Sequence, residues 1–238
     1  MVRSDYSTHR DVVAAWRRAA GTPAVIFDFN GTLCDDEPIL FRIFADLFAE
    51  QLDWSMTASQ YTERLLGHSD REIIEAAMEI TGADADIEEL LAIRARRYRE
   101  QVAVHNPIAP ATVELVANLA AQGMALAVVT GAQRADVAAV LASSPAGEHL
   151  RLIVAEEDVG RGKPDPEGFL AAATALGADP SATLVFEDSL PGVRAALAAG
   201  MFCIAVAAEP GAELLSIAPA VVSRLEPAVL DHGPGVSS

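Results

Sequence analysis

The sequence predicts an α/β fold in which a parallel sheet is covered by helices on both faces. Two observations predict it. Short apolar runs lack the polar alternation of a half-exposed strand, and they alternate with longer segments whose apolar residues have helical spacing. Strands buried on both faces are typical of parallel sheets, and right-handed crossovers through helices then give a doubly wound sheet.

Five apolar runs are the predicted strands, at residues 24–27, 125–129, 152–154, 183–186 and 202–206. The segments between them have apolar residues at helical spacing and Gly or Pro at their ends. They are the predicted helices, at residues 111–122, 134–142, 166–176 and 191–199.

One long stretch interrupts this alternation. Residues 36–104 contain several helical patterns and no convincing strand, and Pro107 and Pro110 follow them. We therefore expect residues 36–104 to form an inserted helical cap, which can close over a site. Residues 1–35 and 105–238 are expected to form the α/β core.

Composition excludes several classes of protein. The 238 residues carry a formal charge of −17 and are 51% hydrophobic, which excludes a disordered chain. The acidic balance disfavours nucleic acid as a partner. The basic cluster of Arg94, Arg96, Arg97 and Arg99 is expected to be the solvated face of a helix, or otherwise a partner site.

No membrane or secretory segment is predicted. No apolar run approaches the ~20 residues of a membrane span, and residues 1–18 lack the apolar core of a secretory signal. The two cysteines, Cys34 and Cys203, are far apart and have no spacing typical of a zinc site or disulfide framework. We therefore expect a cytoplasmic protein.

Polar segments follow four of the predicted strands, at residues 28–32, 130–132, 161–165 and 187–189. In open α/β sheets, ligands bind outside the carboxyl ends of the strands. The four segments are therefore expected to converge on one site. Each segment alone is a weak signal, because an Asp at a strand end or a Thr-Gly turn before a helix is common.

The order of these motifs resembles that of the haloacid dehalogenase-like superfamily of phosphatases and phosphomutases. It resembles in particular the branch with a helical cap inserted after the first motif. The resemblance covers about residues 24–206 and includes the stretch at residues 186–196. It implies a Rossmann-like core and a magnesium-dependent phosphatase that acts on a small phosphorylated metabolite through an aspartyl-phosphate.

The resemblance also implies roles for the acidic residues. Asp28 would be the nucleophile, which splits one displacement into two steps. Asp28 and Asp188 would ligate magnesium together with the backbone carbonyl of Asn30, and Glu187 would complete the shell directly or through water. Such hard oxygen ligands suit Mg²⁺.

Basic and amide groups are expected to bind the phosphoryl group. Thr130 and the amides of Gly131 and Ala132 precede a predicted helix and can donate hydrogen bonds to phosphoryl oxygens. Lys163, the one lysine in the chain, would offset the charge that spreads over those oxygens in the transition state.

Two further substrate contacts are expected from the predicted cap. Residues 67–71 lie where this branch has a cap loop that helps to choose the substrate. His68 and Arg71 are the candidates there, and ordinary surface positions are an equally good interpretation of both.

Asn30 departs from the family pattern, which has a second Asp as acid and base at this position. An amide cannot titrate, and general acid–base catalysis of this kind contributes ~10²–10⁴-fold. The enzyme is therefore expected to be slow or specialised, and the alternative is a silenced member that binds a phosphorylated ligand or a protein. Asn30 also precedes Gly31, a pair prone to deamidation.

Other activities of the superfamily fit less well. A sugar phosphomutase would suffer most from Asn30, and a phosphonate hydrolase needs a lysine that the predicted cap lacks. The dehalogenase branch lacks the acidic pair that Glu187 and Asp188 supply. The substrate and the oligomeric state are not predicted.

Overall fold

The computed structural model describes residues 8–66 and 68–231. The chain forms two compact units. The first contains the residues up to Asp35 and those from Pro107 onward, and the second contains Asp36 to Asn106.

The first unit is built around a six-stranded sheet. The strands are β1 (Ala24–Phe27), β2 (Ala125–Val129), β3 (Leu152–Val154), β4 (Thr183–Glu187), β5 (Phe202–Val206) and β6 (Val221–Val222). All neighbours are parallel, in the order β3-β2-β1-β4-β5-β6. The predicted doubly wound parallel sheet is confirmed. Strand β6 was not predicted, because two valines are too short a pattern.

The α-helices in chain order are α1 (His9–Arg17), α2 (Glu37–Gln51), α3 (Ala58–Arg64), α4 (Asp70–Thr81), α5 (Ile87–Val104), α6 (Pro110–Ala121), α7 (Arg134–Ala142), α8 (Glu167–Leu176), α9 (Leu190–Ala198) and α10 (Ala212–Ile217). Over the described part of the chain, none of them combines the length and the apolar character needed to cross a bilayer.

Strands β1 and β4 form the centre of the sheet. Phe27 pairs with Phe186 in register, and their rings stack with centroids 5.4 Å apart. From β1 the chain builds β2 and β3 on one side and then returns to build β4, β5 and β6 on the other. The crevice where the strand order reverses therefore lies at the carboxyl ends of β1 and β4, where ligands of such sheets bind.

Helix α1 is an element that the apolar patterns did not predict. Thr8 caps its N-terminus in a capping box with Asp11. Val12, Val13 and Trp16 are buried on one face, and the Trp16 indole N–H donates a hydrogen bond to the Ala182 carbonyl at 2.7 Å. The segment before β1 is thus an amphipathic helix of the first unit.

The second unit consists of helices α2 to α5 and their connections. Its core is apolar and includes Phe44, Leu47, Phe48, Ile74 and Leu90. Helices α3 and α4 begin with capping boxes formed by Thr57 and Ser69.

The expectation of a fully solvated arginine face is wrong at Arg94. Its side chain is only 7% exposed, whereas Arg96 and Arg99 are exposed. The reason is helical spacing, because Arg94 lies on the same face of α5 as the buried Leu90, Tyr98 and Val102.

Candidate active site

A tight turn after β1 places the first motif. Gly31 N–H donates to the Cys34 carbonyl at 2.9 Å, and Leu33 N–H donates to the Phe29 carbonyl at 2.9 Å. Gly31 has φ of +75°, and a Cβ on it would lie 2.4 Å from Asp188 Oδ2. Only glycine therefore permits both this backbone and the close approach of Asp188.

Three carboxylates converge at the carboxyl ends of β1 and β4. Asp28 follows β1, Glu187 ends β4 and Asp188 follows it, and one oxygen of each lies within 4.8 Å of the other two. The pairing of Phe27 with Phe186 explains this, because the next residues on both strands emerge side by side. The predicted convergence of these three residues is thus seen in the structure.

Lys163 lies among these carboxylates. Its ammonium forms an ion pair with Asp28 and lies 2.5 Å from Glu187 Oε1. The same ammonium lies over the Phe169 ring, 5.4 Å from the centroid, and the side chain is 17% exposed. The chain's one lysine is therefore at the centre of the acidic cluster.

Glu187 is fully buried, and both of its oxygens are bonded. Oε1 accepts from Lys163, and Oε2 accepts from the backbone N–H of Ser189 at 2.6 Å and from its hydroxyl at 2.9 Å. Ser189 also caps α9 by accepting from Gly192 N–H at 3.1 Å. A Cβ on Gly192 would lie 1.8 Å from Glu187 Oε1.

Sequence reasoning missed the roles of Ser189 and Gly192. A signal for Ser189 exists, since a serine two residues before a proline is typical of a helix N-terminus. The need for glycine at position 192 depends on where Glu187 packs, which no local pattern shows.

Thr32 joins the first motif to the last one. Its hydroxyl donates a hydrogen bond to Asp188 Oδ1 at 3.2 Å. Asn30 lies on the same turn, is half-buried and forms an isolated β-bridge with Cys34. The turn thus holds both the residue that departs from the family pattern and the group that steadies Asp188.

Burial and the charges of the cluster together shift the pKa values of its members. Burial raises the pKa of Asp28 well above its usual value, Lys163 opposes this, and Glu187 and Asp188 raise it further. Burial and the charge of Glu187 also raise the pKa of Asp188, to about 6. Burial lowers the pKa of Lys163, but the charges of Asp28 and Glu187 outweigh it, so its pKa lies above the ordinary value. The cluster carries an excess of negative charge that a cation would relieve.

In the segment after β2, the backbone amide of Ala132 has a different partner from the predicted one. Thr130 is buried, and its Oγ1 accepts a hydrogen bond from Ala132 N–H at 3.0 Å. The Ala132 amide, expected to face a phosphoryl group, therefore already has a partner within the turn. The backbone at Gly131 is open, since a Cβ there would meet no atom within 4 Å.

The two candidates in the second unit lie at the start of α4. Arg71 forms an exposed ion pair with Glu88 at 2.5 Å, and His68 Nδ1 lies 3.9 Å from a Glu72 carboxylate oxygen. Gly67, the first residue of the predicted loop, lies outside the described residues. Both side chains thus have acidic neighbours within their own unit.

Comparison with known proteins identifies the family of the chain. Residues 25–206 match the family described as haloacid dehalogenase-like hydrolase. The chain is 36% identical to protein CbbY of Rhodobacter capsulatus, over 75% of this chain and 82% of that protein. It is 31% identical to a phosphoglycolate phosphatase of Cupriavidus necator, over 87% and 92%.

A solved structure of a similar protein has the same fold. A crystal structure of CbbY from Rhodobacter sphaeroides in complex with xylulose-1,5-bisphosphate superimposes with a TM-score of 0.73. The two chains are 28% identical, and the match covers 86% of this chain and 95% of that one. With a family match that extends from β1 to β5, the chain belongs to the haloacid dehalogenase-like hydrolases.

Proposed function

We propose that this protein is a magnesium-dependent phosphatase that hydrolyses a small phosphorylated metabolite through an aspartyl-phosphate on Asp28. One observation carries the proposal. The carboxylates of Asp28, Glu187 and Asp188 lie within 4.8 Å of one another around the Lys163 ammonium, at the crevice where the strand order reverses. This arrangement supports the assignment of Asp28 as nucleophile, of the carboxylates as a cation site and of Lys163 as a fixed positive charge.

The donor set fits Mg²⁺. Three carboxylates and one ammonium leave two negative charges in formal excess, which a divalent cation balances, and every donor is a hard oxygen. The carboxylates of Asp28 and Asp188 and the carbonyl of Asn30 would hold the ion. Because both oxygens of Glu187 are bonded, we expect Glu187 to act through water and through Lys163. Bound Mg²⁺ would offset charge on the phosphoryl oxygens.

Asp28 and its neighbours supply the chemistry of the chain itself. The Asp28 carboxylate attacks phosphorus, and the leaving oxygen departs on the opposite side. Lys163 interacts with the phosphoryl oxygens as their charge rises, and it is already held at Asp28 by Glu187. The Thr130 hydroxyl donates a hydrogen bond to a phosphoryl oxygen, and the Gly131 amide adds a second donor.

Asn30 makes the second step slow. Hydrolysis of the aspartyl-phosphate needs a base that removes a proton from water, and an amide cannot do this. A base of this kind contributes ~10²–10⁴-fold. We therefore propose a slow phosphatase, and Asn30 also keeps open the alternative of a silenced member that binds a phosphorylated ligand.

The relatives support a substrate class. CbbY was crystallised with xylulose-1,5-bisphosphate, and another relative is a phosphoglycolate phosphatase. We propose a phosphorylated sugar or a similarly small acid as the substrate. The second unit, Asp36 to Asn106, would be the cap. Its His68 and Arg71 would contact the sugar or acid part of the substrate, away from the phosphoryl group that is transferred.

The test is hydrolysis of p-nitrophenyl phosphate with and without Mg²⁺, followed by a panel of sugar phosphates. We expect turnover that EDTA abolishes and Mg²⁺ restores. Calorimetric titration with MgCl₂ should show binding to the wild type and weaker binding to Asp188→Asn, whereas the exposed control Glu209→Gln should bind like the wild type. Metal binding without turnover of any ester would favour the ligand-binding alternative.

A further inference from the structure

Arg94 of helix α5 is a buried cation in the second unit with a defined set of partners. Its Nε lies 3.0 Å from Asp70 Oδ2, and its guanidinium lies over the Tyr98 ring, 4.8 Å from the centroid. The side chain is 7% exposed. A planar guanidinium can lie flat on an aromatic ring and pair with a carboxylate through its in-plane N–H groups at the same time.

Burial of the Arg94 guanidinium has a free-energy cost that its partners must offset. Transfer of a cation from water into the interior is costly unless a carboxylate and hydrogen bonds compensate for it. The Asp70 side chain is 30% exposed and supplies part of that compensation. Any movement of Asp70 away from Arg94 therefore carries a large penalty, so the ion pair restrains the position of Asp70.

Asp70 is the first residue of α4. The preceding residue, Ser69, caps that helix because its hydroxyl accepts a hydrogen bond from Glu72 N–H. In return, the Ser69 backbone N–H donates a hydrogen bond to the Glu72 carboxylate at 2.8 Å. His68 and Arg71 lie on either side of this cap. The ion pair thus joins α5 to the short segment that carries both candidate substrate contacts.

Two further contacts fix the same region. The Tyr98 hydroxyl donates a hydrogen bond to Asp36 Oδ2 at 2.5 Å, so the ring beneath Arg94 is itself held. Arg71 pairs with Glu88 in the first turn of α5 at 2.5 Å. The start of α4 is therefore bound to α5 by one buried and one exposed ion pair.

We propose that Arg94 is a positioning residue that acts through Asp70. It holds residues 68–71 in one conformation and so sets the affinity for the sugar or acid part of the substrate. The role in affinity rests on the proposed function, whereas the restraint on residues 68–71 does not. In this role Arg94 contacts neither the substrate nor the reacting atoms.

The experiment compares Arg94→Met with Arg96→Met, a matched control two residues along the same helix with an exposed side chain. Amide hydrogen exchange is measured in the peptide that spans residues 68–73, where Ile73 N–H donates to the Ser69 carbonyl at 2.9 Å. We expect exchange of this peptide to accelerate about tenfold or more in Arg94→Met and to stay unchanged in Arg96→Met. Uniform acceleration over the whole second unit, or none, would overturn the proposal.

Kinetics give the second readout. In Arg94→Met, the KM for glucose 6-phosphate should rise about tenfold. If glucose 6-phosphate is not turned over, its inhibition constant against p-nitrophenyl phosphate should rise by the same factor. The kcat for p-nitrophenyl phosphate should change less than about threefold. Arg94→Lys keeps the charge without the planar group, so its KM should lie between those of the wild type and Arg94→Met. It also serves as the test variant if Arg94→Met does not fold. Equal loss of kcat for both esters would show a merely structural role.

The two proposals can fail separately. Absence of Mg²⁺-dependent turnover in the wild type would contradict the phosphatase, and the exchange measurement would still decide the role of Arg94. Normal wild-type turnover with an unchanged KM in Arg94→Met would contradict the positioning role alone.

Discussion

Lys163 donates a hydrogen bond to Glu187 Oε1 at 2.5 Å while its ammonium also pairs with Asp28. The second oxygen of Glu187 is fixed by Ser189, which caps α9. A helix N-terminus, a buried glutamate and a lysine thus form one chain of contacts that ends at the candidate nucleophile. The position of the ammonium is therefore set by the fold, which is the preorganisation that the proposed transition-state stabilisation needs.

Asp28→Asn should remove activity without removing the fold. The substitution is nearly isosteric but takes away the nucleophile, so we expect turnover of p-nitrophenyl phosphate to fall by roughly 10³-fold or more. It also relieves repulsion from Glu187 and Asp188, while it weakens the partner of Lys163. Thermal unfolding should therefore change by only a few degrees. Wild-type activity in Asp28→Asn would show that another group attacks phosphorus.

Lys163 should resist amine-directed labelling near neutral pH. Such reagents attack the uncharged amine, and Asp28 and Glu187 keep the pKa of Lys163 above its ordinary value, so the uncharged form is scarce. The α-amino group should react first. In Asp28→Asn the pKa of Lys163 should fall and labelling at the same pH should quicken, as peptide mass spectrometry will show. Equal rates in both proteins would mean that Asp28 does not hold the ammonium in solution.

Ser189→Ala should destabilise the first unit by about 1–3 kcal/mol, because it removes a helix cap and a hydrogen bond to the buried Glu187. Urea unfolding measures this. Ser181→Ala, at an exposed serine, should change the free energy of unfolding by less than about 0.5 kcal/mol. If the two substitutions have equal effects, the Ser189 contacts do not stabilise the fold.

Deamidation at Asn30 should be slow in the folded protein. The reaction needs the Gly31 nitrogen to reach the Asn30 side chain, but that N–H is bonded to the Cys34 carbonyl at 2.9 Å in a fixed turn. We expect the one-dalton mass increase of this peptide to appear much faster in urea than in native buffer. Similar rates in both solutions would mean that the turn is open in solution.

The sequence predicts the sheet well because fully buried strands leave continuous apolar runs without polar alternation. Strand β1 and the site residues that follow it are an example, since Asp28 ends a run of four buried residues. Strand β6 and helix α1 were not predicted from the sequence. Two valines carry no periodicity, and α1 is a short helix with charged residues at both ends and one buried face that includes Trp16.

Within the site, the ends of adjacent strands could be predicted to meet, but side-chain partners could not. The bond from Ala132 N–H to Thr130 and the clash that excludes a Cβ at Gly192 depend on local backbone geometry. The burial of Arg94 was detectable in principle, because positions 90, 94, 98 and 102 share one helical face. A charge among three apolar or aromatic neighbours at that spacing indicates a buried ion pair.

Asn30→Asp should raise the steady-state rate. The new carboxylate supplies the missing base for hydrolysis of the aspartyl-phosphate, a contribution of ~10²–10⁴-fold. In the wild type the first step should remain feasible for a good leaving group, so a burst of p-nitrophenol should precede slow turnover. A steady rate without a burst, and no gain in Asn30→Asp, would mean that another group provides the base.

The most direct measurement is the mass of intact wild-type protein quenched in acid after mixing with p-nitrophenyl phosphate and Mg²⁺. We predict an added phosphoryl group that maps to the peptide containing Asp28, is removed by hydroxylamine and accumulates less in Asn30→Asp. Turnover of the ester without any phosphoryl group on that peptide, in the wild type and in Asn30→Asp alike, would contradict the account.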